Sequence, residues 1–254
     1  MRALHRGLGT PKRQSGLTMV ELMVALLIGL FLLGGLMTLV QDNKRTFNTQ
    51  NQLAQLQDSE RLGMTMMTDV IQTAGYFPDP TINTPTTALP ASGTWATTQA
   101  VSGILGTTAT GDTVSVRYAT NSGDGILSCN GTSNTSGAVY TYVNTFYVVV
   151  NANGSSDLVC RRDDITTGNN VFSLVSGVTQ LKVLYGVNSA NTGNNVDTYM
   201  TATEVNTALL WNNVISVQVI LTFTNPLYSA AQPQGQPQTL NFQRNIGVMS
   251  VIGI

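Results

Sequence analysis

One carboxylate stands at the start of a long uncharged stretch and is the first candidate for chemistry. Glu21 precedes residues 22–40, which carry no charge and would span roughly 28 Å as a helix, about the thickness of a bilayer core. A carboxylate carried towards the bilayer centre costs on the order of 2.5 to 3.5 kcal/mol. Glu21 therefore needs a partner, and a cut between Gly16 and Leu17 would create an ammonium four residues before it.

The other reactive side chains offer little to an enzyme. The one histidine, His5, precedes Gly16 and would be lost with that cut, which leaves no imidazole for a triad, a proton shuttle or a metal ligand. Asp163 and Asp164 are adjacent, but they follow two arginines, a pattern more typical of a solvated loop than of an acid–base pair. We predict no catalytic residue and no cofactor, and we expect the chain not to be an enzyme.

Charges before the cut orient the chain in a membrane. Residues 1–16 carry Arg2, Arg6, Lys12 and Arg13 and no acidic residue, so the positive-inside rule predicts a cytoplasmic N-terminus and an exported remainder. Without this segment, eight basic residues face thirteen acidic ones, a formal charge of −5. A basic surface for nucleic acid is therefore not expected.

Two cysteines lie in the exported part. Cys129 and Cys160 would meet an oxidising compartment, where thiols tend to pair. A single disulfide between them would close a loop of about thirty residues and stabilise the fold by roughly 3 to 4 kcal/mol in the chain-entropy model. Free thiols or a bridge between chains are the alternatives.

The N-terminal stretch GLTMVE at 16–21, after a short basic leader and before a long apolar helix, resembles the class III signal of type IV prepilins. The resemblance implies that a prepilin peptidase cuts after Gly16, that the new terminus at Leu17 is methylated, and that Glu21 guides docking into a filament. Most relatives have phenylalanine where this chain has Leu17, and the common proline within the helix is absent. The alternative is a plain signal anchor.

Periodicity divides the rest of the chain into a helix and a run of strands. Residues 1–16 are assigned to a leader, 17–40 to a membrane helix, 41–76 to its amphipathic continuation, 77–111 to a crossing loop and 112–254 to an antiparallel sheet with the disulfide. In 214–223 apolar and polar residues alternate as in a half-buried strand. A long helix packed on an antiparallel sheet is an α+β fold.

The downstream segments resemble PilW-type minor pilins. By this resemblance, the fold is that of a type IV pilin and the chain is a low-abundance pilus subunit that helps prime assembly within a tip complex. Its implied partners are the prepilin peptidase, other minor pilins, the major pilin, often a large adhesin-like tip protein, and the inner membrane that holds it before it enters the extracellular pilus. The matching stretches are AGY (74–76), SGV (176–178), LKVLYGV (181–187), VDTY (196–199) and WNNVISV (211–217).

Three questions stay open at this level. An oxygen-rich loop with Asn188, Asn191, Asn194 and Asp197 suits calcium chemically, but it has one carboxylate and no EF-hand spacing, so a bare turn is the competing interpretation. A minor pseudopilin of a type II secretion system would share the cut site and Glu21. A binding or adhesion module at the fibre tip is the third functional class.

Overall fold

A computed structural model describes residues 16, 18–107, 109–163, 170–190, 192–193, 195–231 and 235–249. The chain forms two compact units, residues 1–51 and 52–254, and the boundary falls within helix α1, Met19–Gln72. In the first unit, α1 exposes its apolar side chains, and Phe31 is 87% exposed. Among the described residues, α1 is the one helix long and apolar enough to cross a bilayer.

In the second unit, the described residues form the remainder of α1, two short α-helices, a 3₁₀ turn and nine strands. The fold class is therefore α+β, as the sequence predicts. The α-helices are α2 (Pro85–Ala88) and α3 (Ala202–Ala208), and the 3₁₀ turn is Trp211–Asn213. The strands are β1 (Val101–Ile104), β2 (Thr113–Thr120), β3 (Tyr140–Val150), β4 (Ser156–Asp163), β5 (Asn170–Ser176), β6 (Val178–Val187), β7 (Thr198–Met200), β8 (Val214–Thr224) and β9 (Thr239–Gly247).

These strands form two antiparallel sheets rather than the single sheet expected from the sequence. The first has the order β1-β2-β3-β4-β5 and the second β7-β6-β8-β9. Gly177 lies between β5, the last strand of the first sheet along the chain, and β6, the first strand of the second. Its φ of 87° is a conformation that favours glycine. The predicted alternation in β8 is confirmed, since Val217, Val219 and Leu221 are fully buried.

The C-terminal part of α1 packs against both sheets. Met64, Met67 and Ile71 are fully buried in the core. The helix comes closest at Gly63, where an added Cβ would lie 3.3 Å from Val175 of β5 and 3.5 Å from Leu221 of β8. The helix ends as predicted near Gly75, whose N–H bonds to a β2 carbonyl at 2.9 Å.

The stretch 77–111, predicted to be a crossing loop, contains regular secondary structure. It contains α2 and the edge strand β1. Strand β1 is not predicted from the sequence, because its four residues include serine and glycine and are too few to show an alternation of apolar and polar side chains. Nor are β5, β7 and α3 predicted, of which β7 and α3 have only three and seven residues.

A buried carboxylate joins the two sheets. Asp112 accepts hydrogen bonds from the backbone N–H of Gly106 at 2.9 Å and of Val183 at 2.8 Å. Its own N–H donates to the carbonyl of Leu181 at 2.7 Å, and the N–H of Leu181 donates to Thr110 at 3.0 Å. Because Asp112 is 5% exposed, these charge-assisted bonds are shielded from water.

We expect Asp112→Asn to destabilise the unit by about 2 kcal/mol, since the amide has one acceptor for two backbone donors and turns its NH₂ towards the other. The melting temperature of the full chain in detergent should fall by about 4 to 8 °C. Asp69→Asn, on the exposed face of α1, is the control and should stay close to the parent protein. Equal melting of the two variants would contradict this role for Asp112.

Candidate functional site

The N-terminal assembly segment, defined here as Gly16 to Glu21, begins α1 with a reciprocal cap. The Glu21 carboxylate accepts from the Thr18 N–H and from the Thr18 hydroxyl, both at 3.0 Å. The Thr18 hydroxyl in turn accepts from the Glu21 N–H at 3.3 Å. These contacts form a capping box, in which two backbone donors at the start of the helix are satisfied.

This cap gives Glu21 a partner that the sequence analysis did not consider. The spacing Thr-x-x-Glu at 18–21 is the usual signal for a capping box and could have revealed it. Gly16 is described and exposed, whereas Leu17, the predicted new terminus, lies outside the described residues. The ion pair between that terminus and Glu21 therefore stays a prediction.

The predicted disulfide is present. Cys129, in the connection between β2 and β3, bonds to Cys160 on β4, with their Cα atoms 6.3 Å apart. Both residues are buried in the core, at 3% and 0% exposure. The N–H of Cys129 also donates to the side-chain oxygen of Asn144 on β3 at 3.1 Å. The disulfide therefore ties the connection between β2 and β3 to β4, and the hydrogen bond ties it to β3.

Arg117 on β2 holds residues 89–99, which precede β1. Its Nε donates to the carbonyl of Gln99 at 3.0 Å, and Nη1 donates to Pro90 at 2.9 Å. Nη2 donates to Ala96 at 2.9 Å and to Leu89 at 3.3 Å. The guanidinium thus donates to four backbone carbonyls of an irregular segment, two of which, those of Leu89 and Ala96, also accept a backbone N–H.

Burial governs the electrostatics around Arg117. Arg117 is 2% exposed, and this burial lowers the pKa of the guanidinium, which still remains charged at neutral pH. The side chain also lies over the ring of Trp95, 5.1 Å from its centroid. Sequence periodicity placed Arg117 on the polar face of a strand, with no signal that a segment would cover that face. Trp95 is therefore held against the sheet through Arg117.

Asp197 is one of the calcium candidates and serves as a hydrogen-bond acceptor within its own loop. Its Oδ2 accepts from the N–H and the hydroxyl of Ser189, each at 2.9 Å, and from the N–H of Ala190 at 3.2 Å. The bond from the Ser189 N–H, followed by that from Ala190, lowers the pKa of Asp197 below its ordinary value. These donors engage Oδ2, one of the two carboxylate oxygens that a cation could use.

Asn188 closes the same loop from the other side. Its amide donates to the carbonyl of Gly193 at 2.6 Å, and its oxygen accepts from the N–H of Thr192 at 3.2 Å. Within the described residues, no group of three or more acidic, histidine or cysteine side chains could hold a metal. The arrangement described is a hydrogen-bonded turn; the other two candidates, Asn191 and Asn194, lie outside the described residues.

Comparison with known families matches both ends of the chain. Residues 11–37 match the Prokaryotic N-terminal methylation motif. With the exposed apolar part of α1 and the antiparallel sheets, this match supports a type IV pilin-like protein. Residues 145–246 match the family Type IV Pilus-assembly protein W, so the two matches are consistent with a PilW-type prepilin. No curated protein and no solved structure gave a significant match.

These findings fit a single-pass protein of the inner membrane with a periplasmic domain that later enters a pilus. A type IV pilin family implies contact with other pilins and processing by a prepilin peptidase. The methylation motif spans Gly16, Leu17 and Glu21, the residues to which the resemblance to type IV prepilins assigns roles. The match to Type IV Pilus-assembly protein W includes β4 to β8, which form much of both sheets.

Proposed function

We propose that this chain is a minor pilin that helps prime pilus assembly as part of a tip complex with other minor pilins. The observation that carries the proposal is the pair of matches, a methylation motif at 11–37 and Type IV Pilus-assembly protein W at 145–246, in one chain. The partners proposed are the prepilin peptidase, other minor pilins, the major pilin and a large adhesin-like tip protein.

In the proposed mechanism, the N-terminal helix moves from the lipid bilayer into the filament. After cleavage following Gly16 and methylation of Leu17, residues 17–40 wait in the inner membrane as an anchor. Assembly replaces lipid contacts along this apolar surface with helix–helix contacts in the filament. The Glu21 carboxylate, costly in lipid, is neutralised by the new terminus of this subunit or of a neighbour and so favours the docked state.

In this role the chain is structural and not an enzyme. Its proposed work is the recognition of neighbouring subunits through the unit of residues 52–254. Segments 89–99 and 126–138 supply irregular, partly exposed backbone for such contacts. Both segments are anchored, one by Arg117 and the other by the disulfide, and anchored loops bind at a lower cost in ordering.

Deletion of the gene is expected to remove most surface pili, and expression of the full chain from a plasmid should restore them. Shed pili quantified by gel and electron microscopy measure the effect, with secretion of extracellular enzymes assayed in the same strains. Intact pili together with blocked secretion would make the chain a pseudopilin of a type II system. Normal piliation and normal secretion would contradict both assignments.

A further inference from the structure

A cleft of about 370 Å³ opens beside the disulfide, next to Asn130. One wall is formed by the start of β3 with Tyr140 and Tyr142, and by Arg162 of β4. The opposite wall is the 130–136 segment of the connection between β2 and β3. Its volume lies within the range of small-molecule sites.

The wall formed by β3 and β4, called the strand wall below, is aromatic and carries the positive charge of Arg162. The rings of Tyr140 and Tyr142 meet at a centroid distance of 5.0 Å with their planes tilted by 48°. Tyr142 is 7% exposed, and Tyr140 is half-buried. The Arg162 guanidinium lies 5.3 Å from the Tyr142 centroid and donates to the Thr132 hydroxyl at 2.6 Å. An apolar ligand face can therefore lie against an aromatic ring while a polar edge meets the cation.

The loop wall is almost wholly hydroxyl and amide. Asn130, Thr132, Ser133, Asn134, Thr135 and Ser136 line it, and none of them is charged. Hydroxyl and amide groups both donate and accept, so this wall can match a ligand whose own hydroxyls do the same. Among the described residues that line this cleft, Arg162 is the one that carries a charge.

Hydrogen bonds within the protein hold the 130–136 segment in place. Asn134 is fully buried, and its amide donates to the carbonyls of Thr120 at 2.9 Å and Ala138 at 2.7 Å, while its oxygen accepts from the N–H of Ser136 at 2.9 Å. The N–H of Ser128 donates to the carbonyl of Thr132 at 2.9 Å. With the disulfide at its base, the wall is preorganised, which lowers the entropic cost of binding.

We propose that this cleft binds one pyranose ring of a neutral saccharide. A pyranose has an apolar face of C–H groups suited to Tyr140 and a rim of hydroxyls suited to the loop wall. A phosphate or nucleic acid ligand is disfavoured, because the described lining offers a single cation, Arg162, and the processed chain carries a formal net charge of −5. The inference goes beyond the proposed role in assembly and concerns a ligand of the mature fibre subunit.

The test uses the full chain in a zwitterionic detergent that contains no sugar. Saturation-transfer NMR and calorimetry are run with glucose, galactose and N-acetylglucosamine. We expect at least one of the three to receive saturation from the protein. Tyr140→Ala should weaken its binding about tenfold, because the stacking surface is lost. Thr132→Val, which keeps the shape and removes a hydroxyl, should weaken binding about two- to tenfold.

Tyr199→Ala is the matched control, because this tyrosine is 42% exposed on β7 and does not line the cleft. Its binding should equal that of the parent protein, and Tyr140→Phe, which keeps the ring, should retain most binding. The proposal is overturned if none of the three sugars binds, or if Tyr140→Ala binds as tightly as Tyr199→Ala. Capture of another pilin that depends on Tyr140, without sugar binding, would also overturn it in favour of a protein interface. None of these results bears on the deletion experiment, so the two proposals fail separately.

Discussion

Replacing Glu21 with glutamine is expected to reduce surface pili nearly as far as replacing it with alanine, while export and cleavage continue. Glutamine can keep the hydrogen bonds that Thr18 donates at the start of α1, but it carries no charge. If the carboxylate acts through an ion pair with a terminal ammonium, loss of the charge alone removes the driving force for docking. Alanine removes both the charge and the cap.

Thr18→Ala is the complementary variant. It keeps the charge of Glu21 and removes the hydroxyl that takes part in two of the three contacts of the cap. Loss of an N-cap side chain costs about 0.5 to 2 kcal/mol of helix stability, which a long apolar helix held in a membrane tolerates. We therefore expect pili in this strain at close to the parent level.

Two readouts separate processing from assembly. In the strain that has the prepilin peptidase, the intact mass of the membrane-extracted protein should show a chain that begins at Leu17 with one added methyl group in every variant. In the strain without the peptidase, the chain should begin at Met1. Shed pili then report assembly alone. Normal piliation with Glu21→Gln and loss with Thr18→Ala would assign Glu21 a capping role and rule out the ion-pair mechanism. A chain that still begins at Met1 in both strains would remove the basis for the filament mechanism.

Arg117→Met is expected to cause a large loss of stability in the unit of residues 52–254. Methionine has a similar length but no donors, so the carbonyls of Pro90 and Gln99 lose the partner that Arg117 supplies. The carbonyls of 89 and 96 lose one of two partners, because each also accepts a backbone N–H. Buried acceptors left unsatisfied cost about 1 to 3 kcal/mol each, and partial entry of water brings the expected total to about 3 to 5 kcal/mol. Thermal unfolding of the full chain in detergent should show a fall of about 10 °C.

Two further arginine variants make this result interpretable. Arg117→Lys keeps the charge, but a single ammonium cannot reach four carbonyls at once, so an intermediate loss is expected. Arg161→Met serves as the control, since Arg161 lies on β4 in a half-exposed ion pair with Asp163 at 2.9 Å, a pair worth about 0 to 1 kcal/mol. The fluorescence of Trp95, which lies over Arg117, should change with Arg117→Met and not with Arg161→Met. Equal melting of these two variants would contradict the anchoring role.

The anchoring of two loops by buried groups bears on how a pilus subunit meets its partners. One loop is held by Arg117 and the other by the Cys129–Cys160 bridge, and both extend from the first sheet. Loops fixed in this way present the same surface each time, which favours recognition of one neighbour over another. Arg117→Met should therefore affect partner binding more than a surface substitution of equal size.

The sequence alone determined the features that depend on local pattern. An uncharged run of nineteen residues after Glu21 can only be stable as a helix in an apolar environment, whatever the rest of the chain does. The alternation in 214–223 predicts a half-buried strand because side chains in a strand point to opposite faces in turn. With only two cysteines in the chain, a disulfide had one possible intramolecular pairing.

Only the tertiary structure decided the features that join distant segments. Periodicity counts Arg117 as a solvent-facing strand residue, because nothing local indicates that 89–99 will cover that face. The division into two sheets and their junction at Asp112 depend on hydrogen bonds between residues about seventy positions apart. The cleft at Tyr140 likewise needs β3, β4 and the disulfide-held loop to meet. Bringing such distant segments together costs loop-closure entropy, which is offset only when the whole unit folds. No short stretch of the sequence therefore predicts these contacts.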